Sequence, residues 1–217
     1  MQQGYPIDTL AKYFSDLHGS YSVYSDPTGG SANKVLRQQA DSVPPMCTHG
    51  RGASAYSTAI GGTEWSNYAL KVAAKSEGNT SAASEFLMFG AYGGGSFTAD
   101  PMPGGNIKPE TFYHAPYVPK LAGVVLLLFM DGTWTLSTGS GTLAQGKNGG
   151  WRSQEWLQVE LEVAWGAGDE GRATAVVNGV ALADRVPTKL SVHHGPAWLG
   201  GGFHFASFDN FTTSIVV

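Results

Sequence analysis

The residues from Trp156 to Trp165 constrain the fold more than any other part of this chain. Leu157, Val159, Leu161, Val163 and Trp165 alternate with Gln158, Glu160 and Glu162. A period of two means a strand with one face in a core and the other in water, the arrangement of an antiparallel sheet. Residues 172–177 read as a second strand. Asn178-Gly179 follows, two residues that tolerate positive φ, and residues 180–183 return as the other arm of a hairpin. Residues 121–129 form an apolar run buried on both faces or nearly so. Asp131-Gly132 then turns the chain into a strand over 133–138. Further strands are expected at 20–24, 34–39, 56–60, 67–75, 85–92 and 208–217. Only residues 9–17 suggest a short turn of helix.

About a dozen short strands with regular turn signals predict an all-β sandwich or jelly roll of two antiparallel sheets. All 217 residues are expected to form one domain, since all-β sandwiches of this length are commonly single. The composition agrees. Glycine is abundant, with 30 residues, and only 14% of the chain is charged against about 25% in an average soluble domain. Two connections stand out, residues 40–54 with Pro44-Pro45 and residues 93–120 with five prolines. Loops as long as the second usually carry function.

Charge and motifs exclude several function classes. Thirteen basic and seventeen acidic residues give a formal charge of −4, unsuited to binding nucleic acid through counterion release. The apolar run ending at Met130 is about half the length that crosses a bilayer. The first residues show neither the basic nor the apolar region of a signal peptide. Cys47 is the only cysteine, so an internal disulfide and a cysteine-rich zinc site are excluded, and Cys47 reads as a bystander in a loop. Two glycosylation sequons, at Asn79 and Asn210, permit a secreted or lumenal origin. There is no phosphate loop, dinucleotide fingerprint or serine nucleophile elbow.

Acid–base hydrolysis would need two carboxylates on a cleft. Glu160 and Glu162, about 6.5–7 Å apart along one strand face, are the nearest such pair, but they sit mid-strand on a polar face. A self-contained glycosidase is therefore the third reading. His193 and His194 are adjacent, so on a strand they point apart and do not converge on one metal ion. Sugar binding asks for other groups. The C–H face of a pyranose stacks on an aromatic ring while its hydroxyls bond to polar side chains. The loop aromatics Tyr113, Tyr117, Trp151 and Trp65 are the candidates for ligand binding, although packing is the commoner role for each alone. Trp134, Trp156 and Trp165 lie in strands and are either core or sheet-surface residues.

The segment Gly200-Gly201-Gly202-Phe203-His204-Phe205-Ala206-Ser207-Phe208-Asp209-Asn210-Phe211 resembles the close of the lectin domain of galactosylceramidases, glycoside hydrolase family 59. That domain ends in a similar Phe-x-Phe-Ala-x-Phe-Asp-Asn-Phe strand. In the same order, Tyr13-Phe14-Ser15-Asp16, residues 19–24 and Leu36-Arg37-Gln38 are similar to an early segment of the family. Glu64-Trp65-Ser66-Asn67-Tyr68, residues 129–135, the pattern of Trp156, Leu157 and Val159, and residues 175–182 are similar to later ones. The resemblance covers almost the whole chain.

It implies a concanavalin A-like jelly-roll β-sandwich and a non-catalytic, lectin-like module that recognises a glycoside or glycolipid headgroup. In that family the catalytic glutamates lie in a separate barrel, so a barrel domain or another protein is an implied partner, in a secreted or lysosomal setting. The family's calcium site uses an aspartate of the last strand, which matches Asp209. Its other ligands fall in a first strand that aligns before Met1. The connection at 93–120 is longer than the family's equivalent. The alternative reading is a structural sandwich that docks on a protein partner.

Overall fold

The computed structural model describes residues 14–18, 21–26, 33–38, 55–78, 85–92, 123–148, 150–166, 170–190, 193–202 and 205–216. Fourteen strands are found there and no helix. In chain order they are β1 (Phe14–His18), β2 (Tyr21–Ser25), β3 (Lys34–Gln38), β4 (Ala55–Ile60), β5 (Tyr68–Ser76), β6 (Phe86–Ala91), β7 (Val124–Phe129) and β8 (Thr133–Thr138). They continue with β9 (Gly141–Lys147), β10 (Leu157–Trp165), β11 (Gly171–Val177), β12 (Val180–Thr188), β13 (Ala197–Gly202) and β14 (Ala206–Ile215). They make two seven-stranded sheets, ordered β1-β4-β13-β6-β7-β8-β9 and β12-β11-β10-β5-β14-β3-β2. Every pairing is antiparallel.

The alternation of β10 does what its period requires. Leu157, Val159, Leu161 and Val163 are buried between the sheets, and Gln158, Glu160 and Glu162 face away. Phe208 of β14 meets Phe89 of β6 edge-on across the gap, with ring centroids 6.4 Å apart. The run of β7 is apolar throughout because both its faces are covered. Val124, Leu126 and Leu128 join the core between the sheets. Val125, Leu127 and Phe129 join Phe86, Met88 and Trp198 in a second buried cluster on the other side of the first sheet.

The β10–β11–β12 meander holds the expected hairpin, with Asn178 at φ 51° and Gly179 at φ 77°. Asn178 also clamps its neighbour strand, since its Oδ1 accepts the Gln158 N–H at 2.8 Å and its N–H donates to the Gln158 carbonyl at 2.8 Å. Of residues 9–17, where a turn of helix is expected, 9–13 lie outside the described residues and 14–17 are not helical. They belong to β1, where Phe14 pairs with Ile60 and Ser15 with Ala59, so sheet pairing overrides a weak local preference. Two glycine-bearing strands, β9 and β13, were not expected from the pattern. The long connections at 40–54 and 93–120, Cys47 and the Asn79 sequon lie outside the described residues.

Candidate functional site

The register of the second sheet assembles a transverse row on its outer face. Lys75 of β5 pairs with Ser207 of β14, Ser207 with Arg37 of β3, and Arg37 with Ser22 of β2. On the other side Leu157 pairs with Ala74, so Trp156, one residue earlier, stands beside Lys75. The side chains point outward because their neighbours point in. Ala74, Leu36, Phe208 and Tyr21 are all core residues. At a strand spacing of about 4.8 Å the row from β10 to β2 is about 19 Å long.

Its centre is a compact charge network. Lys75 Nζ lies 3.2 Å from Glu77 Oε1 and 4.0 Å from Asp26 Oδ1, with side-chain exposures of 9%, 19% and 3% for lysine, glutamate and aspartate. An ammonium so far out of water needs such partners. Ser207 Oγ donates to the same Glu77 oxygen at 2.6 Å, and the Glu77 N–H is tied to the Phe205 carbonyl at 2.8 Å. An aromatic ring flanks each side. Lys75 Nζ sits 4.9 Å over Trp156, and the Arg37 guanidinium carbon sits 4.7 Å over Tyr24 and 5.4 Å from the Phe205 ring. Tyr24 is 44% exposed. Fixed cations over both rings restrict how those rings turn, and Glu77 is the most open of the polar groups between them, since Ser207 is fully buried.

Of the aromatic residues singled out from sequence, Trp151 and Trp65 lie away from this row. Trp151 is buried in the core, 3% exposed, and its indole N–H donates to the Phe129 carbonyl at 2.6 Å. Trp65 lies at the opposite end of the sandwich. It packs against the core, meets Tyr68 edge-on at 5.8 Å, and covers Gly61, where a Cβ would come within 2.5 Å of its ring. Tyr113 and Tyr117 lie outside the described residues. Tyr24, Arg37, Lys75, Glu77 and Trp156 are therefore the additional residues. Trp156 carried a readable signal, because the period of two puts it on the polar face with Gln158, Glu160 and Glu162.

The other expected chemistry resolves into pairs. Glu160 sits opposite Lys71 in the register and bonds it at 2.9 Å. His193 stacks on Trp165 with centroids 4.1 Å apart and bonds the Leu190 carbonyl through Nε2. His194 reaches the Thr63 carbonyl through Nδ1, and both histidines lie between β12 and β13 and not on a strand. At the bulge of β14, Asp209 Oδ1 accepts the Asn210 N–H at 2.7 Å. Its Oδ2 takes the side-chain amides of Asn33 and Asn210 at 3.4 and 3.5 Å. Calcium asks for six to eight oxygens. Among the described residues no three of His, Cys, Asp or Glu gather, so this donor set does not fit a calcium ion by itself. No described helix is long and apolar enough to cross a membrane.

No family model matches the chain, and no curated protein matches it in sequence. Solved structures do match in shape. A carbohydrate-binding module from Bacillus subtilis superposes with a TM-score of 0.55 at 10% identity, over 93% of this chain and 94% of the other. A legume lectin-like domain from Entamoeba histolytica gives 0.54 at 7% identity, over 100% and 96%. The exoplasmic/lumenal domain of VIP36, in its Ca2+/Man3GlcNAc-bound form, gives 0.52 at 8% identity, over 94% and 84%. The fold is a lectin-like jelly-roll β-sandwich of two antiparallel sheets. Likeness at these identities speaks for fold, and function has to be argued from the site.

Proposed function

We propose that this chain is a non-catalytic carbohydrate-recognition module and that the outer face of the second sheet, around Lys75, is its binding surface. The observation that carries the reading is the pair of cation-backed rings, Trp156 and Tyr24, on either side of the partly exposed Glu77 carboxylate and its Lys75 partner. A sugar ring needs an aromatic face for its C–H groups and adjacent donors and acceptors for its hydroxyls, and this face supplies both. Similar sandwiches include a carbohydrate-binding module and a domain crystallised with Man3GlcNAc, which supports the same reading. The ligand class is a glycoside, free or as a glycolipid headgroup, as the galactosylceramidase-like motifs imply. A catalytic barrel elsewhere in the same protein or in a partner fits those motifs too.

Thermal unfolding against a saccharide panel, with calcium and with chelator, tests the proposal. A ligand that binds only the folded state raises the midpoint by mass action. The expected result is a rise with at least one saccharide that Trp156→Ala abolishes. A rise that also vanishes in chelator assigns calcium a part beside Asp209. No rise with any saccharide favours the protein-docking reading. Saccharide hydrolysis that Glu160→Gln removes favours the glycosidase.

A further inference from the structure

We infer that Asn210 is a site of N-linked glycosylation and that its glycan covers an open edge of β14. The triplet Asn210-Phe211-Thr212 is a sequon, and such triplets also arise by chance, so the weight falls on where the fold puts this one. Asn210 is exposed and stands at the bulge of β14, in the left-handed region at φ 51°. The ladder to β5 passes from Asp209 to Thr212, so Asn210 and Phe211 are not paired in it. Phe211 packs against the core, which leaves Asn210 as the member that meets water. The Asn210 side-chain amide is engaged only weakly, at 3.5 Å from Asp209 Oδ2, and Thr212 is exposed as well. A bulky hydrophilic group fits here without breaking a contact of the fold.

The second observation is the edge that begins at the same place. β14 runs along β5 from Ala206 to Ile215, but β3 covers its other side only at Ser207 and Phe208. Among the described residues nothing pairs with that side beyond Phe208, and residues 212–215 are all exposed. Thr213 and Ile215 pair with the core residues Leu70 and Tyr68, so they lie on the inward side of the sheet, yet Ile215 is 82% exposed. Open edges of this kind recruit strands from other molecules, and lysine and proline are common guards against it. Residues 211–217 contain neither. A glycan rooted at Asn210 sits at the head of the edge, with Ile215 about 16 Å further along the strand. Its bulk and hydration supply the missing guard.

The donor class is an oligosaccharide carried on a polyprenyl diphosphate. Asn210 Nδ2 forms a bond to the anomeric carbon, and the bond from that carbon to the diphosphate oxygen breaks. The polyprenyl diphosphate leaves with the electron pair, and the amide gives up one proton to solvent.

The test secretes the chain from cultured animal cells behind a leader and reads the peptide holding residue 210 by mass spectrometry, before and after enzymatic glycan release. The expected result is a glycan on that peptide, with aspartate left at position 210 after release. Thr212→Ala removes the sequon while leaving Asn210 in its bulge, and should lose the glycan. Thr212→Ser should keep it. Unfolding midpoints confirm that both variants fold. Light scattering then compares self-association. Enzymatically deglycosylated wild type and Thr212→Ala should both shift toward larger species than glycosylated wild type and Thr212→Ser. A bare Asn210, whether or not Asn79 is modified, overturns the site. A glycan whose release leaves self-association unchanged overturns its role at the edge.

Discussion

The ammonium of Lys75 stands 4.9 Å above the ring of Trp156, while its other side faces Glu77 at 3.2 Å. One cation thus orients an aromatic ring and neutralises a carboxylate network. Its removal takes from Asp26 and Glu77 the cation that they share. Lys75→Met should destabilise the fold by about 2–3 kcal/mol, below the range for fully buried pairs because Glu77 is partly hydrated. Urea denaturation measures this. An unchanged midpoint would show that the network is solvated and that Trp156 is not held as argued.

Two glycines separate backbone strain from crowding. Gly179 has φ +77°, and a Cβ there meets nothing within 4 Å. Gly179→Ala should cost about 1–2 kcal/mol through the left-handed conformation alone, and Gly179→Asn less, because asparagine tolerates that region. Gly90 lies in β6, and a Cβ there falls 1.8 Å from Trp198 Cε2. Gly90→Ala forces Trp198 or the strand to move and should cost about 3 kcal/mol or more. Denaturation midpoints of the three variants check the order. A Gly90→Ala midpoint above that of Gly179→Ala would contradict the packing.

How far these features could be read beforehand differs from element to element. The β10 alternation, Asn178-Gly179 and Asp131-Gly132 are local signals, and each led to the structure found. Asp131-Gly132 works because Asp131 Oδ1 accepts both the N–H and the hydroxyl of Thr133. The strands β9 and β13 were hidden by glycine, which is a poor strand former by itself. In the fold Gly146 leaves space for Trp134, as Gly90 does for Trp198. The site was half legible. Trp156 on a polar face is a local clue, whereas Asp26, Arg37, Lys75 and Ser207 come together only through the order β5-β14-β3-β2. That order depends on long-range pairing that no spacing encodes. Trp151 read as a loop aromatic because nothing local shows that its N–H will meet the Phe129 carbonyl.

The Asp131 turn predicts behaviour in acid. Burial pushes its carboxyl up, but the Thr133 hydroxyl and N–H, with Lys147 nearby, outweigh that and hold it below the usual value. A depressed folded-state value means the stabilisation is present above the ordinary aspartate range, about 3.9, and fades as the pH falls through the lower native value. Asp131→Ala should lose stability at neutral pH, by about 1 kcal/mol for the two hydrogen bonds, and the gap to wild type should narrow in acid. Midpoints at neutral and acid pH measure the gap, and a gap independent of pH would exclude the carboxylate as its source.

At the other end of the sandwich, Tyr68 predicts behaviour in base. Its hydroxyl donates to the Gly195 carbonyl at 3.3 Å and accepts the Tyr92 N–H at 3.2 Å, and the Tyr92 hydroxyl accepts the Asn67 N–H at 3.0 Å. Burial is the main cause that pushes both phenols above the ordinary value. The unfolded chain releases these protons near pH 10, whereas the native state keeps them. The native state then binds more protons than the unfolded one, so stability is intact below about pH 10 and declines as the pH rises further. Tyr68→Phe removes the larger of the two contributions. The variant should be weaker at neutral pH by about 1–2 kcal/mol, since the Tyr92 N–H and Gly195 carbonyl lose their partner, and its alkaline decline should be shallower. Unfolding midpoints from neutral to strongly alkaline pH, read with phenolate absorbance, measure both slopes. A variant that declines in base as steeply as the wild type would place the alkaline sensitivity elsewhere.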